Sequence, residues 1–147
     1  TPNLKKEMVE LHHRIEKRGL SESVIFTDHI PFDSVPDYMS IADIMVIPHK
    51  DCFTYQISPP VKLLEYMACQ KPVVTTNVGV RDYVVNKKNG IVVEPDNPYK
   101  MADAIISLLE NPDYSMRLAH EARNLVTTNF RLESMIEKFE NTLMDLV

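Results

Sequence analysis

Apolar residues along the first third of the chain follow two patterns, a helical repeat and a short unbroken run. Four apolar residues recur at helical spacing and Gly19 follows them, which predicts an amphipathic helix with a glycine C-cap. These residues are Leu4, Met8, Leu11 and Ile15. The run Val24-Ile25-Phe26 predicts a short buried strand. A second short helix, capped by Asp33 or Ser34, is predicted to end near Ala42.

Continuous apolar runs predict three more strands, over 44–47, 72–76 and 91–93. A polar loop is expected between the first two of these strands, from His49 to Ile57.

Helix start signals separate the later runs. Ser58-Pro59 is an N-cap residue followed by proline, which predicts a helix that runs to about Cys69. Asn97-Pro98 predicts another helix start. One face of that helix is expected to carry Met101, Ile105, Leu108 and Leu109. Two further helices are predicted over roughly 112–128 and 132–146.

The order of these elements predicts the fold class. Fully apolar strands that alternate with helices are typical of a parallel sheet covered on both faces, which indicates a Rossmann-like α/β domain. Such sheets bind ligands at the carboxyl ends of their strands. We therefore expect the site in the loops that follow 24–27, 44–47 and 73–76.

Length, charge and cysteine content disfavour several classes of protein. The 147 residues are enough for one domain, taken here as 1–147, and the net charge of -5 gives no global reason to bind nucleic acid or an anionic membrane. Cys52 and Cys69 have no metal-ligand spacing and form no disulfide framework, which fits a reducing, cytoplasmic location. The chain has no long apolar run, no signal peptide and no initiator Met, so we expect a fragment of a longer protein.

The stretch around Ser58 offers a seat for a diphosphate. A helix N-terminus presents unpaired N–H groups and partial positive charge to an anion. Since Pro59 and Pro60 lack N–H groups, the donors must come from Val61, Lys62 or their neighbours. Lys62 can add a full charge.

Glu65, about two turns into the same helix, could accept hydrogen bonds from the vicinal hydroxyls of a sugar. The alternative interpretation has equal weight on chemistry alone: Lys62 and Glu65 are solvent-facing charges on an amphipathic helix.

Several sequence blocks resemble retaining GT-B glycosyltransferases of group 1, or family 4. Ser58 to Ala68 resembles the variant Ser-Pro-x-Lys-x-x-Glu-Tyr-Met-Ala, and Glu65 to Val74 resembles Glu-Ala-Met-Ala-x-Gly-x-Pro-Val-Val. Three further blocks are similar to family motifs in the same order. They are 24–31, Ala42-Asp43-Ile44-Met45-Val46-Ile47-Pro48 and 89–98. One block alone is a weak signal, whereas the ordered set is specific.

The resemblance implies the C-terminal, donor-binding half of a GT-B fold that lacks its first strands. It implies that Glu65 binds the ribose hydroxyls and that backbone near Pro60, Val61 and Lys62 meets the diphosphate. His29 and Ile30 would lie beside the nucleobase. The loop from Lys50 to Ile57, which contains Asp51, would face the transferred sugar.

Departures from the family pattern concern the sugar and the phosphates. Ile57 occupies the position of the family's first glutamate, and Asp51 is the candidate replacement in this chain. Ser58, Pro60 and Gln70 stand where the family has glycines. The strand–helix–strand unit that supplies an Arg and a Lys to the diphosphate, and the acceptor domain, would lie outside this chain, so the fragment alone is expected to be inactive.

Metal and nucleophile chemistry are weaker interpretations. His49-x-x-Cys52 offers two ligands, whereas a structural zinc site needs four. Cys52 lacks any sign of a neighbouring base. We expect no metal and no cofactor, with a nucleotide diphosphate sugar as substrate.

The leading hypothesis is that the parent protein transfers a hexose or related sugar to a hydroxyl acceptor with retention. Its expected partners are the donor and the acceptor domain of the same protein, with membrane association only through the parent. Two alternatives stay open: half of a sugar-nucleotide 2-epimerase, and a degenerate Rossmann-like module that makes protein contacts.

Overall fold

The computed structural model of the chain describes residues 2–58 and 61–144, with the side chains of 2–5 and 138 left aside. The chain divides into two compact units, Thr1–Val35 and Pro36–Val147. Each unit is described by itself.

The first unit is built on helix α1 (Pro2–Lys17). Gly19 ends this helix at φ +66°, a left-handed conformation that costs glycine little. Its N–H donates to the Glu16 carbonyl at 2.9 Å, and the Leu20 N–H donates to the Ile15 carbonyl at 3.0 Å. The predicted helix and its glycine C-cap are confirmed.

The strand predicted at Val24-Ile25-Phe26 is wrong. These residues form no strand, and the Ile25 side chain is 85% exposed. Three residues form a strand when a neighbouring strand supplies their backbone hydrogen bonds. The described part of this unit contains no such partner strand. The Phe26 ring instead stacks on His12, with 4.3 Å between ring centroids.

The predicted second helix is present as a 3-10 turn (Phe32–Ser34) followed by α2 (Val35–Ile41), which begins at the boundary between the units. The predicted cap at Asp33 or Ser34 is wrong. Both residues lie inside the 3-10 turn, and the residue at its N-cap position is Pro31, which makes no side-chain cap bond.

A three-stranded parallel sheet lies at the centre of the second unit. Its strands are β1 (Met45–Ile47), β2 (Val73–Thr76) and β3 (Ile91–Val93), in the order β1-β2-β3. Val46 is aligned with Val74, and Val74 with Ile91. The predictions over 44–47, 72–76 and 91–93 are confirmed to within a residue. All four residues of β2 are buried, as expected for a central strand.

Helices cover both faces of this sheet. In the described residues after β1 the helices are α3 (Phe53–Ile57), α4 (Val61–Ala68), α5 (Pro98–Glu110), α6 (Pro112–Asn129) and α7 (Leu132–Met144). Val73 packs with Leu63 of α4, and its neighbour Val74 packs with Leu108 of α5. Successive residues of a strand point to opposite faces, so these two clusters lie on opposite sides of the sheet.

Helix α5 begins as its sequence predicts. The Asn97 side chain accepts a hydrogen bond from the Lys100 N–H at 3.1 Å, and Pro98 occupies the first turn. The prediction for the apolar face of α5 is partly wrong, because the Leu108 side chain is 1% exposed whereas that of Leu109 is 56% exposed. Adjacent helix positions are about 100° apart, so both cannot face one sheet.

The polar loop predicted from His49 to Ile57 is corrected as well, because it contains the short helix α3. The Cys52 carbonyl accepts hydrogen bonds from the N–H groups of Tyr55 and Gln56, both at 3.1 Å. No glycine or proline lies between 49 and 57, so nothing in the sequence stops this turn from closing.

Leu108→Ala and Leu109→Ala form a matched test of the fold. We expect Leu108→Ala to lower the free energy of unfolding by about 2–5 kcal/mol, because it removes buried methyl groups and leaves a cavity. Leu109→Ala should change it by less than about 0.5 kcal/mol. Urea denaturation of both variants measures this, and equal losses would contradict the assignment of the buried face.

Candidate functional site

The loops that follow the three strands are tied together at the carboxyl edge of the sheet. The Thr76 hydroxyl donates to the His49 carbonyl at 2.8 Å, which joins the end of β2 to the loop after β1. The Thr75 hydroxyl donates to the Ile47 carbonyl at 3.3 Å. The Asn77 N–H donates to the Val93 carbonyl at 3.0 Å, which joins the same edge to β3. The ends of three strands therefore form one connected surface.

Gly79 lets the turn after β2 lie directly against α3. Its φ is +67°, and a Cβ at this position would overlap the Tyr55 carbonyl. Val78 and Val80 on either side are 3% and 1% exposed, so the turn is held in place from below. Tyr55 is held on its other side by His49, whose ring stacks on it with 4.2 Å between centroids and 9° between planes.

Two clefts open at this edge. The first, of about 470 Å³, is polar and lies between α3 and the turn after β2. Its polar lining residues are Asp51, Gln56, Asn77, Arg81 and Asp82. The second, of about 460 Å³, lies between the loops after β1 and β3 and the start of α5. Asp51, a predicted site residue, borders the first cleft and accepts a hydrogen bond from the Gln56 amide at 2.6 Å.

Helix α4 presents the two charged candidates on the same side. Leu63 and Met67 are fully buried and fix the inner face of the helix. Lys62 is exposed and Glu65 is half-buried, and residues three apart are neighbours on a helix surface. Neither side chain has an ion pair or side-chain hydrogen bond with another described residue. Burial, and then the charge of Glu65, raises the pKa of Tyr66.

The start of α4 is described in part. Ser58, predicted as its N-cap, ends α3 with extended backbone, and its N–H donates to the Thr54 carbonyl at 3.1 Å. Pro60, a predicted backbone contact, lies outside the described residues. Val61 is the first described residue of the helix and is 59% exposed. The predicted contacts of these three residues with a diphosphate stay predictions.

His29 and Ile30, predicted beside a nucleobase, lie in the first compact unit. His29 is exposed and Ile30 is half-buried, in the segment that follows the strand that does not form. Asp51, Ser58, Val61, Lys62 and Glu65 belong to the second unit. A role for His29 and Ile30 beside a base stays a prediction.

His49 borders the second cleft, although the sequence predicted no donor-binding role for it. Its ring is half-buried, and its Nδ1 atom is buried without a hydrogen-bond partner in the described part of the chain. Burial, followed by the nearby positive charge of Lys62, lowers the pKa of His49 below its usual value. The available signal was its position directly after the Pro48 that closes an apolar strand.

Within residues 2–58 and 61–144, no group of three or more His, Cys, Asp and Glu side chains is placed to hold a metal ion. Across the same residues, no helix is long and apolar enough to cross a membrane.

The family model for glycosyl transferases group 1 matches residues 3–111, from the start of α1 to the residue after α5. This match covers well over half of the 147 residues. The chain belongs to the glycosyl transferase group 1 family. The resemblance found in its ordered sequence blocks is thereby confirmed.

Curated relatives of this glycosyltransferase chain are themselves glycosyltransferases. It is 29% identical over 126 residues to the alpha-D-kanosaminyltransferase of Streptomyces kanamyceticus, covering 85% of this chain and 31% of that protein. It is 28% identical over 131 residues to a GDP-mannose-dependent alpha-(1-6)-phosphatidylinositol monomannoside mannosyltransferase of Mycobacterium tuberculosis, covering 85% of this chain and 33% of that protein. The chain thus spans about a third of the length of these relatives.

Solved structures give the same fold. The C-terminal domain of a group 1 glycosyltransferase (LpcC) from Francisella tularensis superposes with a TM-score of 0.77 at 27% identity, covering 90% of this chain and 66% of that one. The Anabaena protein Alr3699/HepE in complex with UDP and glucose gives a TM-score of 0.86 at 23% identity, covering 99% of this chain and 38% of that one. The glycosyltransferase chain therefore has the Rossmann-like architecture of a GT-B C-terminal domain, as predicted.

Gly79→Ala tests whether the turn after β2 fixes α3. We expect it to lower the free energy of unfolding by more than Gly19→Ala does, because both glycines have positive φ but nothing lies within 4 Å of a Cβ at Gly19. The left-handed backbone alone should cost about 1–2 kcal/mol at each position, and the overlap with Tyr55 adds to that at Gly79. Chemical denaturation of both variants gives the comparison, and equal losses would exclude the close approach.

Proposed function

We propose that this chain binds the nucleotide-sugar donor in a glycosyltransferase that transfers a sugar from a nucleotide diphosphate sugar to a hydroxyl acceptor with retention. The observation that carries the proposal is the placement of α4. This helix follows α3, which lies against the turn after β2, and it carries Lys62 and Glu65 away from its buried face. Open parallel sheets bind nucleotides at this edge.

The diphosphate is assigned to the start of α4. The first N–H groups of a helix have no partner within it and favour an anion. In our proposal, backbone near Ser58, Pro60 and Val61 meets the phosphates and Lys62 supplies a positive charge. The transition state releases a nucleotide diphosphate, so stabilising its charge favours bond cleavage.

The nucleoside is assigned to the next turn of the helix. Glu65 is half-buried and without a side-chain partner among the described residues, so its carboxylate can accept hydrogen bonds from both ribose hydroxyls. His29 and Ile30 are proposed beside the base, and Asp51 toward the transferred sugar. No step of this assignment requires a metal or a cofactor.

The relatives support a hexosyl or related donor. One of them is named as GDP-mannose-dependent, and HepE was solved with UDP-glucose. The names of both curated relatives specify an alpha linkage, which supports retention for a donor whose nucleotide is itself alpha-linked. Because the chain spans about a third of these relatives, the acceptor site is proposed to lie in another domain of the same protein. We further propose a cytoplasmic role in polysaccharide biosynthesis, with membrane association through that longer protein.

A titration of the whole protein with UDP, GDP and ADP and with their sugar conjugates tests the proposal. Saturable binding of one nucleotide supports donor binding and identifies the base. Conversion of a bound conjugate without any acceptor would favour a 2-epimerase. A folded protein that binds none of them would overturn the proposal in favour of a module for protein contacts, for which the exposed Ile57 is the motivating residue.

Glu65→Ala should weaken binding of the nucleoside diphosphate about a hundredfold, because two hydrogen bonds to a charged carboxylate are lost. The 2′-deoxynucleotide is the sharper probe: the wild-type protein should bind it more weakly than the ribonucleotide, and the variant should bind both equally. Calorimetric titration measures the four affinities. Glu110→Ala, at the far end of α5, serves as the control and should change none of them.

Lys62→Ala should weaken the nucleoside diphosphate by about tenfold while leaving the free nucleoside unchanged, because the lost interaction is a charge contact with phosphate. In the wild-type protein, the difference in affinity between the diphosphate and the free nucleoside should also shrink at high salt. In the variant this difference should shrink less. An equal loss for both ligands would mean that Lys62 acts through folding rather than through phosphate.

A further inference from the structure

The Nδ1 atom of His49 is the one buried side-chain nitrogen or oxygen without a hydrogen-bond partner in the described part of the chain. An unpaired buried polar atom costs free energy that a phenylalanine in the same stack on Tyr55 would avoid. Packing alone therefore does not account for a histidine at this position, and the ring's other nitrogen is the group to consider.

The burial of Nδ1 favours the tautomer of His49 that carries its proton on Nε2. A proton on Nδ1 would bury an unpaired N–H donor, whereas a bare Nδ1 leaves an acceptor, which proteins tolerate better. Burial of the ring, and then the charge of Lys62, lowers the pKa of His49, which favours the neutral imidazole. His49 is thus an uncharged N–H donor at the carboxyl end of β1.

The cleft that His49 borders has the chemistry of a site for hydroxyl groups. It has a volume of about 460 Å³ and combines charged and amide groups with the apolar side chains of α5. The polar lining residues besides His49 are Lys50, Thr76, Glu94, Asp96 and Asn97. Hydroxyls both donate to carboxylates and accept from N–H groups, so a sugar ring can pair with this set. Glu94 forms an ion pair with Lys100 at 2.7 Å, which leaves Asp96 as the lining carboxylate without an ion pair in the described part of the chain.

The position of this cleft agrees with the donor's geometry. Lys62, the proposed phosphate contact, is close enough to act electrostatically on His49. The transferred sugar is bonded directly to the diphosphate, so it must lie next to Lys62. The His49 carbonyl is fixed by the Thr76 hydroxyl at 2.8 Å and its ring by Tyr55, which orients the imidazole before a ligand binds.

We infer that His49 is a specificity-determining residue that donates a hydrogen bond from Nε2–H to an oxygen of the transferred sugar, in the cleft between the loops after β1 and β3. This inference rests on the proposed function, in which α4 binds the nucleotide diphosphate. In this arrangement His49 contacts the sugar from the cleft between the loops after β1 and β3, and Asp51, which borders the first cleft, faces it from the side of α3.

His49→Phe tests the inference because it keeps the aromatic stack on Tyr55 and removes the N–H donor. We would measure the affinity of the whole protein for UDP and GDP and for UDP-glucose, UDP-N-acetylglucosamine and GDP-mannose. The expected result is an unchanged affinity for the nucleoside diphosphate and a roughly fivefold loss for its sugar conjugate, the size of one neutral hydrogen bond. His49→Gln, which restores an N–H donor, should recover part of that loss.

Thermal unfolding separates this role from a structural one. His49→Phe should unfold at the same temperature as the wild-type protein or higher, because it removes the unpaired Nδ1. Equal weakening of diphosphate and conjugate, or an unchanged preference for every conjugate tested, would overturn the role of His49 while leaving donor binding intact. A wild-type protein that binds no nucleoside diphosphate would overturn the proposed function as well.

Discussion

The contact on which the rest of the site depends is the one between the backbone of Gly79 and that of Tyr55. It brings the turn after β2 against α3, which follows β1, and it is possible because no Cβ separates the two segments. Helix α3 leads through Ser58 toward α4. The position of Lys62 and Glu65 therefore depends on how closely two loops approach each other, and the buried Val78 and Val80 hold one of these loops in place.

The sheet and its helices were largely predictable because each depends on a local pattern. The runs over 44–47, 72–76 and 91–93 are apolar on both faces, and two covered faces require that composition. The Asn97 cap and the Gly19 stop are decided by a few neighbouring residues. The family was predictable for a different reason, since its motifs recur in a fixed order that local structure does not require.

The features that the sequence did not reveal depend on partners distant along the chain. Val24-Ile25-Phe26 has the composition of a strand, but a strand forms when another segment supplies hydrogen bonds, and composition carries no such information. Leu108 and Leu109 are chemically identical, and which of them is buried depends on the rotation of α5 against β2. Neither the stack of His49 on Tyr55 nor its unpaired Nδ1 can be recognised from the neighbouring residues in the sequence.

The central place of β2 in the sheet has a consequence for the order in which parts of the second unit unfold locally. Its backbone is paired on one side with β1 and on the other with β3, and all four of its side chains are buried. Amides of such a strand exchange with solvent through the largest openings of a protein, whereas edge segments exchange through smaller ones. Thr75 and Thr76, which hold the loop after β1, belong to this slowest-exchanging strand. Fluctuations that release α7 would then leave the anchor of the proposed donor site in place.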